Sequence, residues 1–314
     1  MSSKPEPLLL CVGDIDMDII VKVPRLPGRD QKVDGQRVAQ TPGGMAANVA
    51  VGVRRLGTTT RLLGAVGDDA MGREALTALG QEDLDLTHVA TRSGAATFFC
   101  IIMVDQEGEK CLVKAVSPAY LPQPADLVPA AFAGINHMHL TFTRHELAMV
   151  AVARAKAVGA SISLDLEAAD IPAGGRDVAN LIAQVDLLFV SDQSRAEAEH
   201  IMGPLVARPG QTIVTTLGRN GARVESAAGR VEVAGHSVAV TDTSGAGDAF
   251  AAAFLHSRLV GADDTACLRF ANAAAALSTR AYGAQAGLPQ KREVTAFLGA
   301  RTHGRTYDGT TFRP

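Results

Sequence analysis

Asp242-Thr243-Ser244-Gly245-Ala246-Gly247-Asp248-Ala249-Phe250 lies between an apolar β-type run (Val231, Val233, Val238, Val240) and an apolar helical run from Phe250 to Leu255. This order predicts a strand end, a turn of small residues and a helix start. Gly245, Ala246 and Gly247 let backbone approach a ligand and turn N–H groups outward. The helix N-terminus adds a partial positive charge, so the turn suits an anion such as a phosphate. A carboxylate at Asp248 is unfavourable beside an anion unless it does chemistry. Taking a proton from a hydroxyl that attacks phosphorus is the chemistry that fits. Asp is also a common N-cap, and the local pattern alone leaves both roles open.

Two further glycine signatures stand upstream. Gly43-Gly44-Met45-Ala46-Ala47-Asn48-Val49-Ala50 opens an apolar helix closed by Leu56-Gly57, and Gly64-Ala65-Val66-Gly67-Asp68-Asp69-Ala70-Met71-Gly72 runs from a strand end into another helix start. Together with the stretch from Asp242 to Phe250, and in the same order, they resemble the signature set of the ribokinase (PfkB-type) carbohydrate kinases over nearly the whole chain. The resemblance implies a ribokinase-like three-layer α/β/α sandwich with a mostly parallel central sheet and a small β-sheet lid. It implies transfer of the ATP γ-phosphoryl group to a hydroxyl, expected to be primary, of a sugar or nucleoside. Asp248 would be the general base, and the backbone at Gly245, Ala246 and Gly247 the anion hole.

Composition agrees and narrows the field. A chain of 314 residues, 47% hydrophobic, can bury one large α/β core with a small appendage. A formal charge of −3 provides no electrostatic footprint for nucleic acid, and the absence of Trp disfavours stacking platforms. Cys11, Cys100, Cys111 and Cys267 form no C-x-x-C pair and no zinc spacing. They read as reduced thiols of a cytoplasmic protein. The N-terminal MSSKPEP is polar, and no apolar run reaches membrane-spanning length.

Buried strands are predicted at residues 8–12, 61–66, 135–140, 161–166, 187–190 and 212–216. Helical runs at 46–56, 73–79, 145–158, 178–183 and 196–202 separate them. The alternation implies a parallel sheet covered on both faces. Two stretches depart from it. Residues 19–40 read as extended, with Pro24, Pro27 and Gly28. Residues 97–114 read as a hairpin that turns at Gln106-Glu107-Gly108-Glu109. The division expected is a main domain of residues 1–14, 41–96 and 115–314 and a lid of residues 15–40 and 97–114. In the resembling family such a lid covers the sugar and often pairs between subunits. A homodimer through the lid would cover its apolar edge. The tail after Arg301 is polar.

On the substrate side, Asp14, Asp16 and Asp18 alternate after the first strand and share one face if the chain stays extended. Clustered like charges suit polyol hydroxyls or a cation, although a solvated loop accounts for them too. The resemblance places sugar contacts at Asp16, Asp18 and Asn48, with backbone at Gly43 and Gly44. Lys32 and Lys114, in the two lid arms, read either as an anion-binding pair or as solvated edge guards. The run from Ile101 to Lys110, with Ser117-Pro118-Ala119-Tyr120-Leu121-Pro122, is similar to kinases of ketoses, including a sulfonated fructose. His137 and His139 share a strand face and read as packing residues, because no third metal ligand lies at a standard spacing.

On the nucleotide side, the resemblance assigns Thr216, Gly218 and Gly221 to the phosphates and ribose. It places Asn272 beside the adenine and Gly283 in the loop closing over it, with Asp242 and Ser244 in a monovalent-cation (K+) site. Mg2+ is expected with ATP. The family's N-x-x-E motif is altered, because Ser191 and Ser194 stand at its Asn and Glu. Asp192, Glu197 and Glu199 are candidate replacements, with Glu197 assigned to Mg2+. A dinucleotide oxidoreductase is disfavoured, because the first strand runs into Gly13-Asp14-Ile15-Asp16 rather than G-x-G-x-x-G. A P-loop enzyme is excluded by the lack of any Gly-Lys dipeptide. A nucleoside kinase, for which Phe98 and Phe99 are the only lid aromatics, and a non-catalytic sugar sensor on the same fold stand as alternatives.

Overall fold

The structure is a computed structural model and describes residues 7–107, 110–171 and 175–302. Its elements run β1 (Leu8–Val12), β2 (Asp16–Lys22), β3 (Gln36–Gly43), α1 (Met45–Arg55), β4 (Thr59–Leu63), β5 (Ala65–Gly67), α2 (Ala70–Gly80), β6 (Ala90–Arg92), β7 (Phe99–Val104) and β8 (Lys110–Ala115). They continue with β9 (His137–Leu140), α3 (His145–Ala157), β10 (Ser161–Leu166), α4 (Arg176–Ile182), β11 (Leu187–Ser191), α5 (Asp192–Met202), β12 (Thr212–Thr216), β13 (Ala222–Ser226) and β14 (Gly229–Val233). The chain ends in α6 (Ala246–Leu259), α7 (Asp264–Ser278) and α8 (Lys291–Thr302).

The central sheet has the order β14-β13-β12-β11-β10-β9-β1-β4. It is parallel from β12 to β4 and antiparallel at β13 and β14. Side chains alternate through it into two cores. Leu9, Cys11 and Phe189 join α1, α6 and α7, whereas Leu10, Val12 and Val190 join α3 and α4. A strand buried on both faces must be apolar at successive positions, which is how these runs read in the sequence. A second sheet, β3-β2-β7-β8, has its own small core of Ile20, Phe98, Cys100 and Ile102. Phe98 lies within it against Tyr120, with ring centroids 4.6 Å apart.

Two expected elements differ. The strand expected over 61–66 is split into β4 and β5 at Gly64, where a Cβ would lie 2.9 Å from the Gly13 carbonyl; beyond it, β5 leaves the central sheet to pair with β6. The strand expected through Val238 and Val240 ends at Val233. Beyond it the Gly235 N–H turns to Asn220, and the N–H groups of Thr241 and Asp242 both bond the Thr279 carbonyl instead of a neighbouring strand. The polar tail after Arg301 and the hairpin tip at Gly108-Glu109 lie outside the described residues, apart from the last turn of α8.

The paired histidines are structural. His137 is linked to Ser161 and Ser163, and His139 to Ser163, all at 2.7 Å, and His139 packs edge-on against Phe189. Burial lowers both imidazoles to about 3. The folded state therefore holds them neutral while the unfolded chain protonates near 6.5. Their contribution is present above that value and is lost as pH falls toward 3, at about 1.4 kcal/mol per group and pH unit. We expect the thermal midpoint to fall between pH 6.5 and 4.5, and the double variant His137→Gln/His139→Phe to show a shallower fall over that window. Calorimetry as a function of pH checks this.

Candidate active site

The site is built from two helix starts that lack side-chain caps. Gly44 precedes α1 at φ 94°, where a Cβ would sit 2.6 Å from the Asp14 carbonyl. The first N–H groups of α1, from Met45 and Ala46, donate instead to the Asp14 carboxylate, which also accepts from the Thr141 hydroxyl. Asp14 is thus occupied in holding the helix start. Gly245 precedes α6 at φ 71° and packs on Ala284. Asp248 is the third residue of α6 and is buried. It does not cap its helix; its carboxylate accepts from Asn48 Nδ2 at 2.7 Å. Asn48 Oδ1 in turn accepts from Gln285 Nε2 at 3.0 Å. A Cβ on Gly52 would lie 2.7 Å from the Cβ of Ala252, so α1 and α6 touch one turn beyond the Asn48–Asp248 bond.

Two cavities meet at the turn before Asp248. The first, about 480 Å3, is lined by Asp16, Asp18, Asn48, Lys114 and Asp248 together with Ser244 to Gly247. The second, about 610 Å3, is lined by Gly218, Gly221, His236 and Asn272. Thr216, Thr243, Ala246, Gly247 and Phe250 border both. An elongated ligand in the second cavity can therefore present one end to the N-terminus of α6, and a smaller ligand in the first can reach Asp248.

The first cavity is rich in acid. Burial raises Asp248, against the lowering hydrogen bond from Asn48, and Asp165, Asp14 and Glu167 raise it further. Asp16 is raised by burial and then by Asp18 and Asp14. Its Oδ1 is buried without a hydrogen-bond partner, as a group awaiting a ligand hydroxyl would be. Gly43 makes room beside it, because a Cβ there would collide with the carboxylates of Asp16 and Asp18. Asp165 is pushed up to about 7 by burial and by Glu167 and Asp170. Burial works against the charge of Lys114, but Glu167, 3.7 Å away, together with Tyr120, Asp170 and Asp14, outweighs it and holds the ammonium above its ordinary value.

Most of the residues expected from the sequence are brought together. Asp242 joins the turn to the loop after α7, accepting from the N–H groups of Ser244 and Gly283, both at 2.9 Å. Asn272 borders the second cavity but spends its amide on the carbonyls of Val233 and Ala234, fixing the cavity wall. Gly43, Asp242 and Gly283 line neither cavity but adjoin Gly44, Thr243 and Ala284, which do, and two further expected residues lie apart from both. Lys32 is exposed in the connection between β2 and β3. Glu197 is exposed on α5, one turn beyond Ser194, whereas Ser191 and Ser194 do border the first cavity. α5 begins earlier than expected, at Asp192, because the Ser191 side chain caps it by accepting from Ser194 N.

Asp165 and Glu167, at the C-terminal end of β10, line the first cavity and were not singled out by sequence. Their signal was position alone, since carboxylates at the C-terminal ends of parallel strands face the ligand crevice of such sheets.

Residues 6–291 match the family described as pfkB family carbohydrate kinase. An ATP-dependent ribose-1-phosphate kinase of Halopiger xanaduensis is 31% identical over 300 residues, covering 93% of this chain and 98% of the relative. A ribokinase of Haemophilus influenzae is 27% identical, covering 92% and 98%. Among solved structures, one from E. coli in complex with ATP and Mg2+ superposes with a TM-score of 0.79 at 20% identity, covering 94% of this chain and 99% of that one, a likeness of fold. With the family match running through both glycine-started helices and the linings of both cavities, the chain belongs to the pfkB family of carbohydrate kinases.

Proposed function

We propose that this kinase moves the γ-phosphoryl group of ATP to a primary hydroxyl of a sugar held in the first cavity, with Asp248 as the general base. One observation carries this reading: Asp248 is a buried carboxylate, held by Asn48, at the junction of the two cavities and in the first turn of α6.

In this reading ATP occupies the second cavity, against Thr216, Gly218, Gly221 and the wall fixed by Asn272. Asp16, Asp18 and Asn48 bind sugar hydroxyls, with the backbone of Gly43 and Gly44 close by. A sugar hydroxyl donates its proton to Asp248 as its oxygen attacks phosphorus in line. The N–H groups at Gly245, Ala246 and Gly247 meet the charge that develops on the transferred group. The β2-β3-β7-β8 sheet acts as a lid that keeps water from the γ-phosphate. Mg2+ bound with ATP would neutralise phosphate charge. Glu167 and Ser191 offer it oxygen donors of the kind it takes and line the cavity that Glu197 does not reach. Asp242, Ser244 and Gly283 form one hydrogen-bonded knot, which we assign to a monovalent cation such as K+. The free cysteines among the described residues suit a reducing compartment, and we place the reaction in the cytoplasm.

Lys114 is the one lysine of the expected pair at the cavity, and Glu167 engages it, so the site carries little free positive charge for an anionic sugar. An ATP-to-ADP coupled assay with ribose, fructose, ribose 1-phosphate, a sulfosugar and nucleosides tests the assignment. We expect the neutral sugars to turn over best. Asp248→Asn should keep the fold and lose at least ~100-fold in kcat, the usual scale for a general base; near-normal turnover would sink the role.

Glu167→Gln should raise the Mg2+ concentration needed for ATP binding by about tenfold. Calorimetric titration of ATP at several Mg2+ concentrations reads this without turnover, and an unchanged requirement would remove Glu167 from the metal site.

For assembly we propose a homodimer through the lid, whose strand β8 exposes both Leu112 and Val113 and whose strand β3 exposes Val38. Light scattering should give twice the chain mass, reduced by Val113→Glu. A monomer at high protein concentration would overturn this.

A further inference from the structure

The side chain of Gln285 borders neither cavity, yet it is buried and makes a single hydrogen bond, to Asn48. That bond, with the Asp248 carboxylate on the other side, fixes which way the Asn48 amide faces. An amide has one accepting and one donating end. Because Gln285 Nε2 donates to Asn48 Oδ1, the NH2 group of Asn48 is turned to the Asp248 carboxylate. With the amide reversed, its carbonyl oxygen would meet a carboxylate oxygen, and Asp248 would lose its one hydrogen-bond donor from a side chain. Gln285 is itself held firmly. Arg55 donates to the backbone carbonyls of Gln285 and Leu288 at 2.7 and 2.8 Å, and Arg55 is paired with Glu82. The loop that carries Gln285 also packs through Ala284 on Gly245, at the start of α6.

We propose that Gln285 is a positioning residue for the phosphoryl transfer, fixing the orientation of the Asn48 amide so that it supports Asp248 as an ionised base. The inference rests on the assignment of Asp248 as that base. The other charged groups facing Asp248 are Asp14, Asp16, Asp165 and Glu167, all acidic, and Lys114 at the same cavity is engaged by Glu167. Asn48 therefore supplies the side-chain hydrogen bond that favours the charged form of Asp248 against burial and like charge. Its loss makes the base harder to ionise, so the acidic limb of the kcat/KM profile moves to higher pH.

The test compares Gln285→Met and Gln285→Glu in the full chain, recording kcat, KM for ATP and sugar, and the pH profile, with thermal unfolding measured alongside. Methionine matches the length of glutamine but frees the Asn48 amide to take either orientation. Glutamate can only accept when ionised and so favours the reversed orientation. The expected result is an acidic limb shifted upward by about one pH unit in the Met variant and further in the Glu variant, with KM for ATP little changed. If the Glu variant does not fold, the Met variant alone decides. A wild-type pH profile in the Met variant, alongside an inactive Asp248→Asn, overturns the role of Gln285 while leaving the base in place. Near-normal turnover by Asp248→Asn overturns the base assignment and this inference with it.

Discussion

The close approach of α1 and α6 at Gly52 and Ala252 is the constraint on which the site depends. Each of these residues lies four positions after a polar one, Asn48 on α1 and Asp248 on α6, so the contact repeats one helical turn away as a hydrogen bond. A larger residue at position 52 would push the axes apart and open that bond. The apolar face of α6, with Phe250 stacked on Phe254 and Phe254 edge-on against Phe189, seats the helix pair on the central sheet. The two glycine-started helix N-termini are then held in one packed unit, α1 on the Asp14 carboxylate and α6 at the junction of the cavities. Rigidity in the core is thereby delivered to the one carboxylate that must be oriented.

The electrostatics follow from the same geometry. A cavity that holds Asp16, Asp18, Asp165, Glu167 and Asp248 is costly for a protein to maintain unless these groups share protons or meet hydroxyls and cations. Burial first, and that crowding second, raise Asp16, Asp165 and Asp248. Asp14 is taken up instead by two helix N–H groups and the Thr141 hydroxyl. Three carboxylates that alternate in sequence thus divide into one that builds the helix start and two that line the first cavity without such a role.

The parts of this arrangement that were legible in the sequence are those with a local backbone requirement. Gly44 and Gly245 have positive φ and open helices, and each stood inside a recognisable signature. Strands buried on both faces, such as β1, β10 and β12, had ends that matched their apolar runs. Apolar alternation misled at Val238 and Val240, where the chain leaves the sheet to bond Thr279. Asp165 and Glu167 were missed because a carboxylate at a strand end has no spacing of its own. Gln285 was visible only as a neighbour of Gly283, since its partner Asn48 lies 237 positions away. Glu197, expected to replace a missing acid, sits one turn too far along α5 to border the cavity.

The long separations at Asp248 also bear on when the protein becomes active. Asn48 is 200 positions before Asp248, the proposed base, and Gln285 belongs to the last stretch before α8. The first half of the chain can collapse around β1, β4 and α1 during synthesis, because those contacts are near in sequence. The base acquires its full set of neighbours only once the residues around 285 have emerged from the ribosome. With Asp248 as the proposed base, a polypeptide whose synthesis stops earlier lacks the assembled centre that the proposed transfer needs.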